Sequence, residues 1–376
     1  MQRKLYFENL DALRTIACLT VIIGHTLKEN FYKVDAGDFF NRILHLVSSG
    51  NLGVAFFFSL SGYLITYLIL IEKESKGKFS LKNFYIRRTL RIWPLFLTVV
   101  IFGLYLYPFV KSLLGISTEL ANRPIYYFLF LSNFDHLYLS QNNLLGQSAL
   151  MLHITWSVAI EEQFYLIWPL LFYIFPSQGT IFIFLSVIAA SIIFKITNIN
   201  DGHVLYFHTF SVMGYLALGG LLGYFSFNST RFISVIEGLN KKIILLVYFI
   251  GLGGLLYSDL IFSFYYGPVF SYLFQAVFFG FVILEQNFTT NSPLKFKQIY
   301  VFSILGKYTY GLYLLHPIGI LIVSIIVRVL HLEYTSFYFD LLSFGFVLLF
   351  SLAISYVSYH YFESYFLKLK HKFAYN

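Results

Sequence analysis

The sequence predicts an all-α, polytopic membrane bundle of about ten transmembrane helices with both termini cytosolic. Three observations lead there. Of 376 residues, 58% are hydrophobic and 12% charged, with a mean hydropathy of +0.72; a soluble domain carries about 25% charged residues on its surface. The apolar residues gather into runs of about 20, the length that crosses a bilayer as a helix. Lysine and arginine divide unevenly between the loops that would lie on the two sides. A single cysteine, Cys18, excludes a disulfide framework, and no charge run suggests a disordered or nucleic-acid-coating protein.

In order along the chain, the expected spans are 9–27, 52–71, 92–111, 155–175, 179–197, 204–225, 243–258, 262–284, 308–330 and 338–361. The first contains Asp11 and Arg14 and lacks a small-residue cleavage site, so it reads as a retained span rather than a signal peptide. With the N-terminus inside, the cytosolic set holds Arg3, Lys4, Lys73, Lys76, Lys78, Lys82, Arg87, Arg88, Arg91, Arg231, Lys241, Lys242, Lys295, Lys297, Lys307, Lys368, Lys370 and Lys372. The outer set holds Lys28, Lys33, Arg42, Lys111, Arg123, Lys195 and Arg328. Eighteen against seven is the positive-inside bias of an even number of spans. The net charge of +8 is thereby a cytosolic rim. The longest polar-leaning stretch, 112–154, would lie outside; its apolar run Tyr126–Phe134 suits a re-entrant or interfacial helix. The chain reads as a single transmembrane domain over 1–376, without internal repeats.

Ionisable groups inside a bilayer are costly unless paired or hydrated, so each is a candidate for function. Asp11, Arg14 and His25 fall along one stripe of the first span at 100° per residue. Asp11 and Arg14, one turn apart, also suit a plain anchoring ion pair, and His25 a hydrogen-bonded packing residue. A second cluster runs from Tyr85 to Pro94. Arg88 and Arg91 share a helix face and would lie at the N-terminal end of the third span, where the helix dipole adds positive potential. Guanidinium forks suit phosphate there, against the alternative of ordinary positive-inside anchoring, which accounts for Lys73 to Lys82. In a third cluster, Trp156–Tyr165, Glu161 and Glu162 point about 100° apart, so at most one faces a given site. Glu161 lies too deep for a first-turn cap if the helix begins near Thr155. Smaller signals are Ser61-Gly62, suited to close helix packing, His316 in the ninth span and Glu363 at the end of the tenth.

Taken together and in order, these strings resemble the acyltransferase-3 family of integral membrane O-acyltransferases. The resemblance rests on Leu10-Asp11-Ala12-Leu13-Arg14 with His25, on Phe56–Ile65 and on Arg88–Arg91. It continues through Trp156–Tyr165 and Leu305-Gly306-Lys307-Tyr308-Thr309-Tyr310-Gly311-Leu312-Tyr313-Leu314-Leu315-His316-Pro317 to Ser358–Glu363. About a dozen residues follow Glu363, which implies a stand-alone form without the fused esterase-like domain of many relatives.

The resemblance implies acyl transfer from cytosolic acyl-CoA, acetyl-CoA by family precedent, to a hydroxyl of an extracytoplasmic carbohydrate or lipid-linked glycan. It implies no metal and no nucleic-acid partner, and a multi-pass protein of the bacterial cytoplasmic membrane. Depth agrees: His25 lies 14 residues beyond Asp11, about 21 Å along a helix, roughly the reach a pantetheine arm needs from Arg88 and Arg91. On this expectation His25 is the general base and Glu161 orients its imidazole or stabilises its charged form. Arg14, held by Asp11, stabilises developing charge or positions the donor, and Arg88 and Arg91 bind the CoA phosphates. An acyl-enzyme on His25 stays open. Trp156, Tyr126, Tyr127 and Tyr138 suit sugar stacking or an interfacial belt. The competing function is a proton-coupled transporter or flippase, which would use the same buried ionisable groups; a non-catalytic scaffold is a third.

Overall fold

A computed structural model describes residues 6–27, 38–113, 115, 120–175, 179–331 and 337–373. Arg3, Lys4, Lys28 and Lys33 of the charge census lie outside the described residues, as does part of 112–154. No strand occurs among the described residues, as expected where lipid offers the backbone no hydrogen-bond partner and each segment must satisfy its own amides.

Helices α1 (Glu8–Thr26), α2 (Asp38–Val47) and α3 (Gly50–Lys76) open the chain. Helix α4 (Leu81–Ile101) continues through a π-turn at Phe102–Leu106 into α5 (Tyr107–Leu113). Two short helices, α6 (Pro124–Phe128) and α7 (Ser132–Gln141), precede α8 (Thr155–Ile174) and α9 (Thr180–Thr197). Helix α10 (Gly202–Phe207) leads into α11 (Thr209–Asn228); α12 (Thr230–Glu237) and α13 (Lys241–Leu256) meet at 90°. After α14 (Ser258–Ile261) and α15 (Gly267–Phe288), α16 (Tyr300–Leu305) joins α17 (Thr309–Val329) through a 3-10 turn at Gly306–Tyr308. Last, α18 (Phe337–Ser358) passes through a second π-turn, Tyr359–Glu363, into α19 (Ser364–His371).

Seven of these rods are long and apolar enough to cross a membrane, and the α12–α13 pair makes an eighth if it is one span. The protein is therefore a polytopic helical membrane bundle. Helices α1 and α8 fall outside the seven. They carry Asp11, Arg14, Glu161 and Glu162, and those residues lower their hydropathy.

Two expected features are corrected. Helix α4 begins at Leu81, capped by the Ser80 hydroxyl accepting from the Asn83 amide. Arg88 and Arg91 are thus two to three turns inside it, beyond the first turn in which a helix dipole acts. The run Tyr126–Phe134 is no single helix: it breaks between α6 and α7, where Phe130 adopts φ +54°.

Helix α3 is the buried centre, packed by α1, α11 and α15. Its crossing with α11 is close because both helices place glycine at the contact. A Cβ on Gly62 would collide with the Leu216 backbone, and one on Gly219 with the Ser59 backbone. Between helices in lipid, where no hydrophobic effect draws them together, such close backbone packing supplies the attraction.

Candidate active site

A cavity of about 510 Å³, within the range of ligand sites, lies between α1, α3, α4, α8, α17 and the C-terminal segment. Its polar lining comes in stripes. On α8, Ser157, Glu161 and Tyr165 are spaced four apart and face the cavity together. Tyr165 lies under the Arg88 guanidinium, 5.2 Å from ring centre to Cζ, and donates to Glu161, which also accepts from Ser61 at 2.5 Å. One turn on, the Ser157 hydroxyl meets the Tyr313 hydroxyl at 2.5 Å. Glu162 points away and accepts from the Trp93 indole at 2.8 Å.

On α1, Asp11 and Arg14 line the same cavity and pair at 2.5 Å, with the Tyr6 hydroxyl also donating to Asp11. Arg88 and Arg91 enter it from α4, one turn apart. Arg91 is open to the cavity and makes no hydrogen bond or ion pair among the described residues. Arg87 faces elsewhere. It is 3% exposed, pairs at 2.6 Å with the fully buried Glu72 of α3, and donates to the Phe373 carbonyl at 2.7 Å. It is a tie between α3, α4 and the chain end.

Five of the six expected site residues, Asp11, Arg14, Arg88, Arg91 and Glu161, therefore meet in one cavity; His25 does not line it. Its Nδ1 lies 2.9 Å from Nε2 of His316, with the rings stacked 5.2 Å apart at 15°. His316 is fully buried, and its Nδ1 lies 2.7 Å from the Tyr313 carbonyl. That carbonyl is available because Pro317, four residues on, has no amide to give it. A carbonyl only accepts, so His316 carries its proton on Nδ1 and offers Nε2 as acceptor. His25 must then donate from Nδ1, which leaves Nε2 of this exposed residue as its acceptor nitrogen. The hydrogen-bond partner of His25 is thus His316, while Glu161 is engaged by Ser61 and Tyr165.

Tyr313 separates the two parts. Its side chain lines the cavity, its ring centre is 6.2 Å from that of His316, and its carbonyl anchors the dyad. The residues that sequence reasoning left without a role are thus His316, Tyr313, Ser61 and Tyr165. Two signals pointed to them: the His-Pro step inside a helix, and the four-residue spacing of Ser157, Glu161 and Tyr165.

A family model described as an acyltransferase domain matches residues 7–360. The O-acetyltransferase OatA of Staphylococcus aureus is 31% identical over 343 residues, covering 86% of this chain and 52% of that protein. The peptidoglycan O-acetyltransferase OatA of Listeria monocytogenes is 33% identical over 176 residues, 45% of this chain and 25% of that protein. The chain spans at most about half the length of these curated relatives. No solved structure matches it. With the matched model running through nearly every helix that builds the cavity, the chain belongs to the acyltransferase-3 family.

Proposed function

We propose that the protein is a membrane O-acyltransferase that passes an acyl group, acetyl by the names of its relatives, from acyl-CoA to a hydroxyl of a cell-envelope carbohydrate. In this proposal it sits in the bacterial cytoplasmic membrane with ten spans and both termini in the cytosol. The observation that carries the reading is the His25–His316–Tyr313 hydrogen-bond chain, whose Tyr313 side chain lines the same cavity as Arg88 and Arg91.

The donor enters at Arg88 and Arg91, whose forks hold its phosphates, and extends its thioester towards Tyr313. Glu161, fixed by Ser61 and Tyr165, presents acceptor oxygens to the pantetheine amides. Arg14 is eleven residues from His25, about 16 Å along α1, beyond side-chain reach of the reacting carbonyl. Of its two expected roles, donor positioning is the one this spacing permits, with Asp11 holding it.

The acceptor hydroxyl approaches His25 from the exposed side. Nε2 removes its proton as the hydroxyl oxygen attacks the thioester carbonyl. The C–O bond forms, the C–S bond breaks, and the departing CoA thiolate takes the proton back from the imidazolium. While charged, His25 donates a strengthened Nδ1–H bond to His316, the part an orienting group plays in a triad.

The test is acetyl transfer from acetyl-CoA to peptidoglycan fragments by the purified chain in nanodiscs. Turnover in the wild type with loss of about 10²–10⁴-fold in His25→Ala is expected for a lost general base. Unchanged turnover in His25→Ala overturns the assignment. Burst kinetics with a labelled imidazole would favour the acyl-enzyme route over direct transfer.

A further inference from the structure

The cavity holds more positive charge than the arginines of α4. Lys307, from the 3-10 turn before α17, and Lys370, from α19, also line it. Together with Arg14, Arg88 and Arg91 they set five basic side chains against three carboxylates, and those three are already engaged. Asp11 holds Arg14 and Tyr6, Glu161 accepts from Ser61 and Tyr165, and Glu363 accepts from Ser358 at 2.9 Å. Lys370 is half-buried, lies within electrostatic range of Arg91, Arg88 and Arg87, and makes no ion pair among the described residues.

This crowding is built, not incidental. The π-turn Tyr359–Glu363 delivers α19 against α4, and π-turns cluster at functional sites. Arg87 then clamps the chain three residues beyond Lys370, at the Phe373 carbonyl, while its buried partner Glu72 keeps it in place. An ammonium held beside guanidiniums away from bulk water is repelled by each of them. An anion in the cavity removes that repulsion, and one with more than one phosphate group could engage both the arginines of α4 and Lys370 of α19, which reach the cavity from different helices. Coenzyme A has that form: a pyrophosphate, and a phosphomonoester on the ribose that carries nearly two charges at neutral pH.

We propose that Lys370, positioned by Arg87, binds the ribose 3′-phosphate of the donor while Arg88 and Arg91 hold the pyrophosphate, so that the C-terminal helix selects coenzyme A over its dephospho form. This inference rests on the acyl-CoA reading above. It makes α19 a specificity element rather than a trailing anchor. Arg87 acts through Lys370 and is a positioning residue.

The experiment is equilibrium binding of coenzyme A and dephospho-coenzyme A to the full chain in nanodiscs. Wild type should bind coenzyme A about tenfold more tightly, the scale of one charge-assisted phosphate contact. Lys370→Gln should bind the two alike while keeping the wild-type affinity for the dephospho form, which also reports an intact fold. Lys370→Arg should restore the preference. Equal binding of both nucleotides by wild type, or a Lys370→Gln loss shared by both, overturns the assignment of Lys370. Wild type that binds neither nucleotide overturns the acyl-CoA reading itself, and this inference with it.

Discussion

Chemistry at the residue scale turns on which nitrogen of His25 is free. The Tyr313 carbonyl dictates the His316 tautomer and His316 dictates that of His25, so Nε2 is the nitrogen that the proposed mechanism uses as base. Replacing His316 with Phe keeps the packing but removes the acceptor, so kcat should fall by on the order of 10²-fold, as when a triad loses its orienting member. KM for acetyl-CoA should stay within about twofold, because His316 lies beyond Tyr313 from the donor cavity. A rise in KM with unchanged kcat would place His316 in donor binding instead. His25, Arg14 and Asp11 were legible in the sequence because each is costly in lipid. The partnership of His25 was not, since His316 lies 291 positions away and only the fold brings them together.

At the scale of elements, two contacts fix the helices that shape the cavity. The Arg87–Glu72 pair is almost fully buried, and removing one member of such a pair leaves the other charged and unpaired, at a cost of about 3–5 kcal/mol. Arg87→Ala should therefore lower the unfolding midpoint. Cys18 is wholly buried, so labelling by a thiol-reactive dye on heating reads that midpoint directly; an unchanged midpoint would deny the tie its structural role. Gly62→Val should also destabilise, by about 1–3 kcal/mol of overpacking where α3 meets the α11 backbone, with wild-type dye kinetics the contrary result. The helices themselves could be read from apolar runs. Their joints could not: the extension of α4 back to Leu81 falls in a stretch too polar to read as a span, and the π-turn before α19 leaves no mark in hydropathy. The second of these places Glu363 and Lys370 in the cavity.

Over the whole molecule, the less apolar helices α1 and α8 bring Asp11, Arg14 and Glu161 to the cavity, while apolar rods supply the rest of its lining, Arg88 and Arg91 from α4 and Tyr313 from α17. Hydropathy finds the scaffold and undervalues the site, whereas the cost of burying charge finds the site. Neither reveals which groups meet: His25 and Glu161 are expected at similar depth, yet Glu161 lines the cavity and His25 pairs with His316 outside its lining. In the proposed reaction the donor comes from the side of Arg88 and Arg91 and the acceptor from the side of His25, so transfer would be directional. In proteoliposomes of fixed orientation, acetyl-CoA supplied only to the face that bears Arg88 and Arg91 should acetylate a glycan enclosed on the other face, and His25→Ala should abolish the product. Equal product from acetyl-CoA supplied only to the His25 face would contradict delivery through the cavity.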